Sequence, residues 1–319
     1  MRMVRSVLIP GDKRRELSLG SVLSSVLLVL WLAGCASPPV IEPAVPAVPV
    51  VTQAPAAVKR PPKIGLALGG GAARGFAHIG VIQVLEEAGI RPAVVAGTSA
   101  GSLVAALYAS GKTGAQLQQV AETMDEGTFA DWTLPIFNRG ILRGDAVARF
   151  VRAQVGGRLI EDMPLLLGIL ATDLNSGQGV LFQRGDTATA VRASSAVPAI
   201  FQPVRISGHE YVDGGLVSPV PVRYARQMGA ELVIAVDIAS APETNPADDT
   251  LQILLQTFTI MGKSITSLEL READIVVRPA LSGLGSADFT PRRKAIQAGR
   301  AAMQQVLPQL MAAIEAGSK

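Results

Sequence analysis

The run Val94-Val95-Ala96-Gly97-Thr98-Ser99-Ala100-Gly101-Ser102 constrains this chain more than any other. A short β-branched stretch enters Gly-x-Ser-x-Gly, and helix formers (Leu103, Val104, Ala105, Ala106, Leu107) follow at once. That order predicts a strand, a sharp turn and a helix, with Ser99 standing clear at a sheet end as a nucleophile elbow requires. Gly97 and Gly101 omit the Cβ atoms that would crowd the turned backbone. The helix beyond Ser99 directs its positive end at the place where a reacting oxygen would gather charge.

Such a turn needs a sheet to carry it and helices to cover the sheet, and the remaining periodicities supply both. Strands are predicted over 64–68, 93–96, 165–173, 179–183, 204–207, 210–212, 231–238 and 274–278. Helices are predicted over 76–88, 115–124, 190–196, 222–228, 251–270 and 292–316 besides the elbow helix, with Asp186 placed to cap the one that runs through 190–196. Strands alternating with helices argue a three-layer α/β/α domain. The stretch 129–142, with Trp132 and Phe137, has no clear period; core packing is its ordinary reading, a lid or lipid-facing segment the other.

The net charge of +3 misleads, because residues 1–34 carry five basic groups and two acidic ones, and the rest holds 24 of each sign. A neutral body without a basic stripe argues against nucleic acid as a partner. The chain has one cysteine, Cys35, preceded by Leu32-Ala33-Gly34 and an apolar run from Val22. That run is short for a membrane span of about 20 residues and has the proportions of a signal sequence. The small residues before Cys35 resemble the lipobox of bacterial lipoproteins, which implies cleavage after residue 34 and acylation of the thiol. Ala36 in place of Asp implies an outer-membrane destination facing the periplasm. Residues 35–62 contain eight prolines and read as an acylated, semi-rigid tether; 63–319 is then the folded domain.

Two further stretches bear on Ser99. Gly69-Gly70-Gly71-Ala72-Ala73-Arg74-Gly75 follows a predicted strand and opens a helix, so its backbone amides form a nest for an anion. A Walker loop would end in Gly-Lys-Ser/Thr, and a dinucleotide site would want a carboxylate ending the second strand; neither is present. An oxyanion hole is the better reading. Tyr211-Val212-Asp213-Gly214-Gly215 ends a strand in a carboxylate before a sharp turn, although Asp-Gly is also the commonest turn signal. The two histidines, His78 near the start of a helix and His209 at a hairpin tip, fit a Ser-His-Asp triad poorly. No Cys/His/carboxylate cluster has metal-ligand spacing, and no cofactor is expected.

Together the loop Gly70-Gly71-Ala72-Ala73-Arg74-Gly75, the elbow from Gly97 to Gly101 and Asp213-Gly214-Gly215 resemble the bacterial branch of the patatin-like phospholipase family. So do Ala171-Thr172-Asp173, Ala193-Ser194-Ser195-Ala196-Val197-Pro198 and the strand 233–237. The resemblance implies a three-layer α/β/α fold with a central, mostly parallel sheet. It implies a Ser99–Asp213 dyad acting on carboxylic esters of phospholipids or lysophospholipids, with backbone amides of Gly70, Gly71 and Ala72 as oxyanion donors. Arg74 would brace the loop, meet a phosphate headgroup, or form a surface ion pair. Ala72 stands where many members have a third glycine, and its amide stays useful if φ stays negative. A lipid- or partner-binding envelope lipoprotein without catalysis and a broader esterase or thioesterase are the competing readings; oligomeric state is left open.

Overall fold

In the computed structural model, the described residues are 60–124, 140–239, 249–285 and 288–317. All of them belong to the second of two compact units, which begins at Ala57. The leader, Cys35, the tether as far as Lys59, and the stretch holding Trp132 and Phe137 lie outside the described residues.

The sheet is built outward from three strands, β1 (Ile64–Leu68), β2 (Val94–Thr98) and β4 (Leu166–Asp173). β1 and β2 are buried along their whole length, as is all of β4 after its first residue, so they read as continuous apolar runs. With β8 (His209–Asp213), β7 (Val204–Ile206), β9 (Leu232–Val236) and β10 (Ile275–Val277) the order is β10-β9-β1-β2-β4-β8-β7. The first five run parallel, whereas β8 is antiparallel to β4 and β7 to β8. β5 (Gly179–Phe182) folds back on β4 as an antiparallel hairpin. The sheet is therefore mixed, parallel at its centre and antiparallel at one side.

Alternate residues of the strands face different cores. Ile64, Leu66, Leu68, Val95, Ile169 and Ile234 pack in the larger cluster, with α1 (Phe76–Glu87), α2 (Ala100–Ala109) and α8 (Arg292–Gly317). Ala67, Ala96 and Ala235 face α6 (Val222–Gln227) on the other side. Small side chains there bring α6 and the turn after it close: a Cβ on Gly65 would stand 3.5 Å from Ala225 Cβ and within 2.5 Å of Ala230 Cβ. α3 (Gly114–Thr123) carries a capping box between Thr113 and Gln116. α7 (Thr250–Glu269) joins β9 to β10 and buries only Thr266 and Glu269.

Four elements depart from the periodicity reading. A helix α4 (Asp145–Val155) occupies a stretch for which nothing was expected, burying Val147, Val151 and Val155. β3 (Gly140–Leu142) and β6 (Ala199–Phe201) pair in a separate two-stranded parallel sheet. α5 (Thr187–Ser194) starts after Asp186 as expected, but the Asp186 carboxylate makes no backbone cap and instead holds Arg152 at 2.6 Å. Contact with the domain also begins before residue 63, since both Arg60 guanidinium nitrogens donate to the Glu231 carboxylate at 2.8 Å.

Candidate active site

β1 and β2 deliver the glycine loop and the elbow to the same end of the sheet, because they are parallel neighbours with Leu68 beside Gly97. Ser99 follows with φ 54° and ψ −124°, a left-handed conformation that strains any residue with a Cβ. The surroundings hold it there: its N–H donates to Ser194 Oγ at 2.9 Å and its carbonyl accepts from Ser102 Oγ at 2.7 Å. The flanking glycines are a steric requirement. A Cβ on Gly101 would come within 2.1 Å of the Leu68 carbonyl oxygen, and one on Gly97 within 2.4 Å of the Gly101 oxygen.

Sheet register brings Asp213 to the same place. Thr98 lies opposite Leu170 on β4, and the next residue of β4, Ala171, lies opposite Asp213. The chain then turns across the end of β4, where a Cβ on Gly214 would stand 2.3 Å from the Leu170 oxygen. Asp213 is 6 % exposed. Burial pushes its carboxyl up to about 6, opposed by the Gly215 amide, which donates to Oδ1 at 2.7 Å, and by the neighbouring Ser99 side chain, which favours the charged form. Hydroxyl and carboxylate, 114 positions apart in the chain, thus meet.

The glycine loop departs from expectation at two residues. Gly70 is not a free donor: its N–H is committed to the Pro219 carbonyl at 3.0 Å. Gly71 and Ala72 remain, their amides bonded to nothing among the described residues. Ala72 does not keep a negative φ but sits at +50°, in the region glycine favours, because the loop must turn directly into a 3-10 turn over Ala72–Gly75. The loop lies against the elbow, since a Cβ on Gly70 would stand 3.2 Å from Ser99 Cβ. Gly69 and Gly75 have no room either, the first against Val236 O at 2.9 Å and the second against Ala100 Cβ at 2.9 Å. Arg74 is buried, and its Nε donates to the Gly71 carbonyl at 3.4 Å, which braces the loop from inside.

Neither histidine reaches the pair. His78 is fully buried with its Nε2 2.8 Å from the Gly69 carbonyl, and burial pushes it down to about 4, so it is neutral and Nε2–H donates. Its Nδ1 has no partner among the described residues. His209 is at the hairpin, its Nδ1 2.9 Å from Asp173 Oδ2.

Ser194 is a residue that sequence reasoning left without a role, although it lies in one of the segments quoted for resemblance. It is fully buried at the end of α5, and two residues later the Ala196 carbonyl accepts the Asp213 N–H at 3.0 Å. One three-residue segment thus holds the backbone of both Ser99 and Asp213. A helix-terminal serine carries no local signal that distinguishes it from a cap.

A profile of the family described as patatin-like phospholipase matches residues 66–226, about half of the chain and the whole of the loop, elbow and Asp213 turn. The chain belongs to the patatin-like phospholipase family. Among curated patatin-like relatives, an NTE family protein of Mycobacterium tuberculosis is 39% identical over 189 residues, covering 59% of this chain and 52% of that protein. The mouse patatin-like phospholipase domain-containing protein 6 is 35% identical over 190 residues, 57% of this chain and 14% of its own. The chain spans about half the length of the first of these relatives, and a second NTE family protein of M. tuberculosis is covered to 46%. Among solved structures, VipD from Legionella pneumophila superposes with a TM-score of 0.56 at 16% identity, over 79% of this chain and 68% of that one, a likeness of fold.

Proposed function

We propose that the protein is a serine acyl hydrolase that cleaves carboxylic ester bonds of phospholipids or lysophospholipids. The observation that carries this reading is the Ser99 side chain brought beside a buried Asp213 carboxyl, next to two loop amides that have no partner among the described residues. In the proposed cycle Ser99 Oγ attacks the ester carbonyl carbon while its proton passes to Asp213. The carbonyl oxygen, now negative, takes hydrogen bonds from the Gly71 and Ala72 amides. Collapse breaks the C–O bond to the alcohol, which leaves with the proton from Asp213, and the acyl group stays on Ser99. Water repeats the sequence, giving up a proton to Asp213 and releasing the fatty acid.

An aspartate is a weak base for an alcohol, with an ordinary value near 4. Burial makes Asp213 a stronger one, and each oxyanion donor is worth roughly 3 kcal/mol of barrier in such sites. The unpaired amides therefore carry much of the rate. Wild-type protein should hydrolyse phospholipid or lysophospholipid in a lipidomic assay and be labelled by a fluorophosphonate probe. Ser99→Ala should lose both, and retained turnover in that variant would overturn the reading.

We further propose that Cys35 is acylated after removal of residues 1–34 and that the domain hangs in the cell envelope from an outer-membrane lipid anchor. The support is the run of small residues before a lone cysteine behind an apolar leader.

A further inference from the structure

Glu269, the last residue of α7, is a carboxylate that the proposed cycle does not use. It is 8 % exposed, and a buried carboxyl is costly unless it is well bonded. Its bonds converge on one short segment. Oε1 meets Ser218 Oγ, and Oε2 accepts the Val220 N–H at 3.3 Å, so the carboxyl closes a bracket around residues 218–220. The Arg223 guanidinium stands 3.8 Å away at the exposed side. Burial pushes Glu269 up to about 7, above its usual range.

The bracketed segment faces the catalytic end with two carbonyl groups. That of Ser218 accepts Thr98 Oγ1 at 3.0 Å, and that of Pro219 accepts the Gly70 N–H at 3.0 Å. Thr98 precedes Ser99, and Gly70 precedes Gly71 and Ala72, whose amides have no partner among the described residues. Residues 218–220 therefore form a strap that ties the elbow to the glycine loop. The strap has no secondary structure to stiffen it apart from its own bonds. Ser218 and Val220 are almost entirely buried, so nothing from solvent can replace a lost partner.

We propose that Glu269 is a positioning residue for acyl transfer, fixing the strap so that its Ser218 and Pro219 carbonyls hold the oxyanion amides in register with Ser99. The inference rests on Ser99 as the nucleophile. It accounts for a commitment that would otherwise waste a donor: the Gly70 amide aims its neighbours instead of meeting substrate. Small displacements of donors preorganised for a developing charge are costly in rate, while binding of the acyl chain does not depend on them.

The test uses the full chain in detergent with a soluble p-nitrophenyl ester, comparing wild type, Glu269→Ala, Glu269→Gln, Ser218→Ala and Ser99→Ala. Glu269→Ala should lower kcat at least about tenfold with KM within about twofold, since the loss falls on the transition state. Glu269→Gln keeps an acceptor for Val220 and a donor for Ser218, and should restore kcat to within about threefold of wild type. Hydrogen exchange should quicken at Gly70 in Glu269→Ala and stay unchanged at Leu66. Should Glu269→Ala fail to fold, Ser218→Ala opens the same bracket from the other side and should give the same kcat loss. Wild-type kcat and unaltered Gly70 exchange in the folded alanine variants would overturn the proposal, as would Glu269→Gln falling as far as Glu269→Ala. Turnover surviving in Ser99→Ala would instead overturn the nucleophile and this inference with it. Ser99→Ala dead beside an unimpaired Glu269→Ala would sink the inference alone.

Discussion

At the scale of single residues, the site sets function against stability. The Asp213 carboxyl, pushed up to about 6 by burial, must be ionised to accept a proton, so kcat/KM should rise as pH climbs through about 6 and then level. Its folded value exceeds the unfolded one, so the folded chain holds this proton more tightly. The corresponding stability is fully present below about 4 and is lost as pH rises through 6. Asp213→Asn should therefore abolish turnover and yet stabilise the fold at pH 8 by something on the order of 1–3 kcal/mol, with little gain at pH 4. Denaturant melts at the two pH values check this. Ala72 presents a milder conflict, with an exposed methyl at φ +50°. Ala72→Gly should leave stability within about 1 kcal/mol of wild type with activity intact, because relief of strain offsets added chain entropy. Ala72→Val, β-branched at the same φ, should lower both, as urea melts and esterase rates would record.

At the scale of elements, α5 matters more than its eight residues suggest. Ser194→Ala strips the partner from the Ser99 amide in a buried, strained turn, an arrangement whose loss typically costs about 1–3 kcal/mol. Fluorophosphonate labelling of Ser194→Ala should slow markedly, whereas His209→Asn, which touches Asp173 and not the pair, should label at the wild-type rate. The elements that could be read from sequence are those whose signal is local. β1, the elbow and α1 announce themselves by apolar runs punctuated with glycine, and Asp213 by its turn. α4 escaped because its buried valines, four residues apart, are interleaved with Arg149 and Arg152 and follow a stretch without period. β3 and β6 are three residues each and exist only through each other. Glu269 and Ser194 lie 170 and 95 positions from the serine they serve; their meaning is spatial, and no window of sequence contains it. The commitment of the Gly70 amide is of the same kind, because Pro219 lies 149 residues away.

At the scale of the whole molecule, the sheet has two ends with separate duties. Every group of the site lies at or beyond the carboxyl ends of β1 and β2, or in register with them on β8. Proteins of this kind of architecture place ligands at that edge, where strands hand over to loops. The other end carries the Arg60–Glu231 clamp, immediately before β1 and β9 begin. If Cys35 is acylated, Cys35→Ser should move the protein from the detergent phase to the aqueous phase without changing turnover of a soluble ester.

The clamp has a consequence for reach. The chain enters the domain at Arg60, at the end of the sheet opposite the Ser99 turn, so if Cys35 is acylated, turning that serine toward the same bilayer would call on slack in the chain before residue 60. A proline-rich leash of twenty-odd residues would supply it at about 3.1 Å per residue if extended. Cutting the leash by about half should silence hydrolysis of lipids in the same membrane while ester turnover in free solution carries on as before.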